Sequence, residues 1–354
     1  MERGSIVAES RVKKLRRRLA GLIAGKDASV SLAAPGRTGE IELVTAEACN
    51  VDWAESRRGT RLTFLRRPAI AKSDKVFAMG SCFAVEIRRE LFRRGFDVYP
   101  KYDEIKFDPA TQKMGKMPAR DNINHYDTFT IRQEFEMAFA NRHYLPGDFL
   151  SVAAGAKSPF ANPGPHVWQD PYRKRIYGAT LESLADLSAK IDDCIRDAIQ
   201  CANVYVVTLG LSEVWKNNQN GLYINQAPGK NTSGQFEGFT FETSTYAQNL
   251  ENVMRICELV KEHFPTRKVI LTVSPVPLSR TYSGGDIVLA NTESKSTLRA
   301  VAAEVIRRCD NAIYWPSFEI ALARDLFEAD GRHVRQDGIN LIVGEFLKVH
   351  LKDQ

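Results

Sequence analysis

Apolar residues in this chain fall into short runs that alternate with stretches of helical spacing. Residues 76–79 form an apolar run bounded by charges, the mark of a buried strand. Phe83, Ile87 and Leu91 then recur every four residues, the period of an amphipathic helix. Gly95 closes that helix, and 96–99 reads as the next strand. The alternation resumes with a helix over 181–202, a strand at 204–209, a helix over 246–263 and a strand at 268–273. A helix over 291–309, a strand at 312–315 and a terminal helix over 341–351 complete it. Strands alternating with helices predict a parallel sheet with helices on both faces. One more helix is expected through Ile131, Phe135 and Phe139, with Asp127 or Thr128 as its cap and Gln133 or Glu134 as the reciprocal cap.

Other stretches break this rhythm. Residues 1–69 read as an N-terminal extension ahead of a domain spanning 70–354, with edge strands expected at 41–44 and 62–65. Residues 101–122 are polar and contain proline, which predicts a long loop. Insertions over the sheet edge are expected near 140–180 and 216–243, the first rich in Gly, Pro and aromatics, the second polar and Gly-rich. Such insertions often shape a substrate pocket.

Composition narrows the picture without redirecting it. The 354 residues are 44% hydrophobic and 26% charged, as in ordinary globular proteins. The net charge of +6 is partly local, since Arg11, Lys13, Lys14, Arg16, Arg17 and Arg18 lie in one run. Val12, Leu15, Leu19, Leu22 and Ile23 form an apolar stripe opposite them. The 11–23 segment therefore reads either as a helix that rests peripherally on an anionic membrane surface, or as a solvated helix packing its stripe on its own core. No apolar run approaches the roughly 20 residues of a membrane-spanning helix, and the N-terminus lacks the apolar core of a signal peptide, so a cytoplasmic address is expected. The six cysteines (Cys49, Cys82, Cys194, Cys201, Cys257, Cys309) are scattered with no Cys-x-x-Cys pair, which argues against a disulfide scaffold and a structural zinc site. No phosphate-binding Gly-rich motif occurs, so no cofactor, metal or nucleic-acid partner is expected.

Candidate chemistry gathers at the strand ends. Gly80-Ser81, Gly210-Leu211-Ser212-Glu213, Ser274-Pro275 and Pro316-Ser317 follow four of the five strands, and a parallel sheet brings such turns to one edge. Beyond the last strand comes Asp330-Gly331-Arg332-His333. Two intervening residues let the carboxylate reach back to the ring, fix its tautomer and stabilise the imidazolium. Ser81 is then the nucleophile and His333 its base. His125, in a polar loop before a helix, is a lesser candidate. Cys82 is a rival nucleophile, because a thiol in the first turn of a helix has a lowered pKa. The residue after the turn apex is nonetheless expected to point into the helix interior as a structural cysteine.

Gly80-Ser81-Cys82-Phe83-Ala84 spells the signature of the GSCFA family, and the resemblance runs on. Asp127-Thr128-Phe129-Thr130-Ile131, the 208–215 and 272–277 segments, Ser294-Lys295 and 315–319 also resemble its blocks. That family is similar to the SGNH (GDSL-like) hydrolases. The resemblance implies a three-layer, flavodoxin-like α/β fold with sheet order 2-1-3-4-5, and a serine esterase or O-acyltransferase acting through an acyl-enzyme. It assigns Ser81, Asp330 and His333 to the catalytic triad. It implies an oxyanion hole from Ser81, Thr128, Gly210 and Ser212. Ser212 replaces the usual Asn donor, and Asp127 stands where the family has Asn. An acetyl ester of a sugar or polysaccharide is the substrate it suggests, with Tyr144, Phe160, Trp168 and Tyr172 available to stack on sugar rings. The alternative is an inactive carbohydrate-binding or scaffolding protein on the same fold, which the replaced Asn favours.

Overall fold

Five strands of the central sheet alternate their side chains between two cores. They are β1 (Lys75–Gly80), β2 (Asp97–Tyr99), β3 (Val204–Leu209), β4 (Lys268–Val273) and β5 (Ala312–Trp315). In this computed structural model the described residues are 64–114, 123–154, 158–160, 164–173, 175–225, 227–228 and 237–353. The basic stripe at 11–23 and the strand expected at 41–44 lie outside them. Of the strand expected at 62–65, only Phe64 and Leu65 are described, and neither is in a strand.

All pairings in the central sheet are parallel, in the order β2-β1-β3-β4-β5. Phe77 and Met79 of β1, Tyr205, Val207 and Leu209 of β3, and Leu271 and Val273 of β4 enter one core. The residues between them, Val76, Ala78, Val204, Val206 and Ile270, enter the other. The first core is closed by α2 (Thr128–Phe139), α3 (Leu181–Cys201), α4 (Tyr246–His263) and α5 (Ile287–Arg308). The second is closed by α1 (Cys82–Arg93), α6 (Ser317–Ala323) and α7 (Gln336–His350). This is the three-layer α/β arrangement, buried on both faces of the sheet as parallel sheets require.

Several boundaries differ from expectation. Helix α5 begins at Ile287, ahead of 291, because the Asp286 carboxylate accepts the Val288 N–H at 2.7 Å. Helix α7 begins at Gln336, ahead of 341, and buries Ile339, Ile342 and Val343. Helix α6 was not expected. Residues 64–70 belong with the domain, ahead of the expected boundary at 70. Phe64 packs on Trp315 at 5.0 Å between ring centroids, and the Arg67 N–H donates to the Val349 carbonyl at 2.9 Å.

The expected insertions carry short strands of their own. Gln112–Met114, inside the predicted 101–122 loop, pairs with Ile176–Gly178 in a four-stranded antiparallel sheet with His166–Gln169 and Leu150–Ala153. Glu213–Asn217 pairs with Phe239–Thr243 and Tyr223–Ile224. Strands of two to five residues leave too little periodicity to detect. The reciprocal cap on α2 does not form. Glu134 turns instead to His125 Nε2 at 2.9 Å and to Arg173 Nη2 at 3.0 Å. Arg173 is fully buried and also reaches Asp170 at 3.2 Å and Asp192 at 2.5 Å, which ties the first insertion to α2 and α3.

The same packing overturns the expected sugar-stacking residues. Tyr144 and Tyr172 are buried and stack on each other at 4.0 Å, with the Arg173 guanidinium over the Tyr144 ring. Phe160 is buried in a small core with Val152 and Val167, and Trp168 is half-buried against the main core. These rings complete the interior, because an insertion of this length must bury apolar surface of its own to stay folded.

One backbone contact fixes the end of β1. Gly80 has φ +137°, and a Cβ there would lie 2.1 Å from the Thr208 carbonyl oxygen. Both the conformation and the space exclude a side chain. Gly80→Ala is therefore expected to cost on the order of 4 kcal/mol of unfolding free energy. Urea denaturation reads this directly, and a wild-type midpoint would contradict it.

Candidate active site

Three of the expected strand-end turns open into one cavity of about 660 Å³. Ser81, Gly210 and Ser274 line it, together with Cys82, Asp127 and His333. Ser317, from the fourth turn, is fully buried and not on the wall. The site thus lies at the carboxyl ends of β1, β3 and β4, on either side of the point where strand order reverses.

Ser81 is the N-cap of α1. Its backbone is extended, with φ −62° and ψ 175°, and its Oγ accepts the Phe83 N–H at 3.3 Å. It is 2% exposed. The N-terminal end of α1 therefore meets the cavity at Ser81, where it favours negative charge.

Asp330 and His333 form a tight pair on the loop between α6 and α7. Asp330 Oδ2 lies 2.5 Å from His333 Nδ1, and Oδ1 accepts the N–H groups of Arg332 at 2.8 Å and His333 at 3.0 Å. The hydrogen bond from His333, with those two backbone N–H groups, holds the Asp330 carboxyl well below the usual carboxylate range. With Nδ1 engaged, Nε2 is the ring nitrogen left for the cavity. His333 is half-exposed and shares the cavity wall with Ser81. No hydrogen bond joins Ser81 Oγ to the His333 ring among the described residues; Oγ is engaged by the helix it caps.

Of the expected oxyanion donors, two backbone N–H groups are committed to carbonyls and two residues lie off the cavity wall. The Ser81 N–H donates to the Thr208 carbonyl at 3.1 Å, and the Gly210 N–H to the Tyr126 carbonyl at 3.0 Å. The Thr128 hydroxyl donates to Asn249 at 2.7 Å and accepts from Asn252 at 3.0 Å, and Thr128 does not line the cavity. Ser212 is buried and also absent from the wall, its N–H bonded to Ser294 Oγ at 2.7 Å. The Gly-x-Ser-Glu turn presents Leu211 and Glu213 to the cavity instead. Asp127, in the position where Asn is usual, caps α2. Its carboxylate accepts from Phe129 N and Thr130 N, and burial pushes its pKa up to about 6.

Two further expectations change. Cys82 is half-buried and lines the cavity rather than the helix interior. Ser81 is itself the cap, so Cys82 takes the first helical position, where no preceding turn covers it. His125 is buried, and its Nε2 pairs with Glu134 away from the wall, a structural role.

Lys295 sits immediately behind the site. On α5, Ser294 Oγ receives the Ser212 N–H while Lys295 Nζ donates to the Gly210 carbonyl at 2.6 Å. Adjacent residues thus hold both ends of the 210–212 turn. Lys295 is 2% exposed and has no carboxylate partner among the described residues. Burial pulls its amine down to about 7, against the opposing influence of Cys82. The Ser294-Lys295 block was visible in the sequence; that the amine is buried without a counter-ion was not.

This amine has a measurable linkage. Its folded-state pKa lies below the ordinary 10.5, so the burial penalty is fully present below about pH 7. Between that pH and about 10.5 the unfolded chain binds a proton that the folded one does not. Stability therefore rises with pH across this window, by up to about 1.4 kcal/mol per pH unit from this group. Lys295→Met is expected to be more stable than wild type at pH 6, with the difference shrinking towards pH 10. Urea unfolding of both proteins at several pH values checks this, and parallel curves would contradict it.

Comparison with known proteins adds the following. A Clostridium thermocellum family 3 carbohydrate esterase is 10% identical with a TM-score of 0.31, over 78% of this chain and 95% of that one. A peptidoglycan O-acetylesterase is 12% identical with a TM-score of 0.32, over 78% and 90%. A Parabacteroides merdae protein described as a GDSL-like lipase is 17% identical with a TM-score of 0.27, and this chain spans 62% of its length with 43% of its own. No curated protein matches the chain. The GSCFA family model matches residues 75–346, from the first residue of β1 to Phe346 in α7, and the chain belongs to the GSCFA family.

Proposed function

We propose that this chain is a serine-dependent esterase or O-acyltransferase that works through an acyl-enzyme. The reading rests on one observation above the others: a helix-capping serine and a histidine held by an aspartate, far apart in sequence, line the same cavity. Ser81 Oγ attacks the ester carbonyl and its proton passes to His333 Nε2. Asp330, held ionised, offsets the imidazolium charge that forms. The tetrahedral intermediate collapses, the alkoxide leaves with the proton from His333, and the acyl group stays on Ser81. Water, or an acceptor hydroxyl, gives its proton to His333 and attacks the acyl carbon, and Ser81 recovers its proton as the acid or new ester departs. The N-terminus of α1 supports the developing negative charge, and so does the Lys295 ammonium behind Gly210. An acetyl ester of a sugar is the substrate this reading favours.

A second reading has one observation on its side. With the Ser81 and Gly210 N–H groups already bonded to carbonyls, the site is short of free oxyanion donors, as in a binding protein without turnover.

Kinetics with a short-chain aryl acetate separate these readings. Ser81→Ala and His333→Ala are expected to lower kcat by at least on the order of 10³. Cys82→Ala keeps turnover near wild type. A chain that depends on Cys82 and tolerates Ser81→Ala would be a thiol enzyme. A wild-type chain that turns over no ester would leave the binding reading.

A further inference from the structure

We propose that the alcohol part of the ester is a sugar-type ring carrying an anionic group, read by Arg280 and Arg332. This rests on the esterase reading of the cavity and adds the class of substrate to it.

The charges at the cavity are unevenly satisfied. Among the described residues two carboxylates line it and a third, Asp330, is paired with the lining His333, and each is already satisfied by the protein. Asp127 caps α2 and also accepts the Thr130 hydroxyl at 3.0 Å. Glu213 accepts the Thr281 hydroxyl on one oxygen and the Tyr282 N–H on the other at 3.1 Å. Asp330 is taken by His333 and two backbone N–H groups. The guanidiniums are not satisfied. Arg280 is exposed, lines the cavity and makes no hydrogen bond or ion pair among the described residues. Arg332 lines it too, and among the described residues its guanidinium meets the Pro277 carbonyl alone, at 3.4 Å from Nη2, while its buried Nε has no partner there. A guanidinium with uncommitted N–H groups offers the planar fork that carboxylate and phosphate oxygens fit.

The ring follows from an aromatic pair on the wall. Trp215 and Tyr282 both line the cavity and meet edge to face at 5.2 Å, with Phe241 packed 5.2 Å from Trp215. Tyr282 is 36% exposed. Glu213 anchors the loop that carries Tyr282, so this wall is held in place by a buried carboxylate. A rigid aromatic surface suits the apolar face of a sugar ring. The volume of about 660 Å³ is that of a site for a small ligand rather than a long groove. Arg332 directly precedes His333, so the anionic group lies close to the ester being cleaved.

The test uses matched monoacetyl esters of methyl glucoside, methyl glucuronoside and methyl glucoside 6-phosphate at low ionic strength. The expected result is a kcat/KM at least about tenfold higher for a charged ester than for the neutral one. That ratio should fall towards one in Arg280→Gln/Arg332→Gln, and Arg280→Lys/Arg332→Lys should recover part of it. Whichever charged ester leads tells carboxylate from phosphate. A preference for the neutral ester, or a ratio that survives the double substitution, overturns the proposal. If no ester is cleaved, the esterase reading falls, and the inference is tested alone by calorimetry on Ser81→Ala. Methyl glucuronoside or glucose 6-phosphate should then bind more tightly than methyl glucoside, and lose that advantage with the two Gln substitutions. Equal binding of neutral and charged sugars overturns it.

Discussion

Three backbone segments pack at the carboxyl edge of the sheet more closely than side chains would allow. Gly80 lies against the Thr208 carbonyl, and Gly210 lies against the Tyr126 carbonyl, where a Cβ would approach to 2.5 Å. The same added Cβ would be 3.2 Å from the Ser81 Cβ. The His125 N–H closes the arrangement by donating to the Gly80 carbonyl at 2.9 Å. These contacts set where Ser81 leaves β1 and enters α1. They also consume the N–H groups of Ser81 and Gly210. The constraint that places the serine is thus the one that takes two of the expected oxyanion donors.

Two buried basic side chains show different physics. Arg173 is surrounded by Glu134, Asp170 and Asp192, so its burial is compensated, and the cluster fastens an insertion to the main domain. Removing one member of such a cluster strands the others. Among the described residues Lys295 has the Gly210 carbonyl alone, and a buried amine in that state costs stability. A strongly perturbed group beside a cavity is a feature of functional sites, where stability is given up for electrostatics. Its position behind the turn that touches Ser81 fits that account.

Much of this was legible in the chain. The central strands each bury both faces, so they stood out as apolar runs, and β1, β3 and β4 sit within a residue or two of where the pattern put them. Asp-x-x-His has a local geometry that the loop adopts, so the Asp330–His333 pair was readable from spacing alone. What depends on tertiary packing was not readable. Tyr144 and Tyr172 look like sugar platforms in a Gly- and Pro-rich stretch, yet they are core because Arg173 and its carboxylates pull that stretch inward. Ser212 looked like a donor because alignment says nothing of which way a turn faces. Arg280 gave no signal, and Trp215 stood out only as the end of a family block, since an arginine or tryptophan acquires a role only from what else lines the cavity.

The proposed nucleophile is tested most directly by covalent trapping. Treating the full chain with a fluorophosphonate and mapping the adduct by mass spectrometry asks which atom in the cavity is activated. The account predicts a single adduct on the peptide holding Gly80-Ser81-Cys82, assigned to Ser81 by fragmentation, lost in Ser81→Ala and strongly slowed in His333→Ala. An adduct on Cys82, or no adduct on the folded wild-type protein, would contradict it.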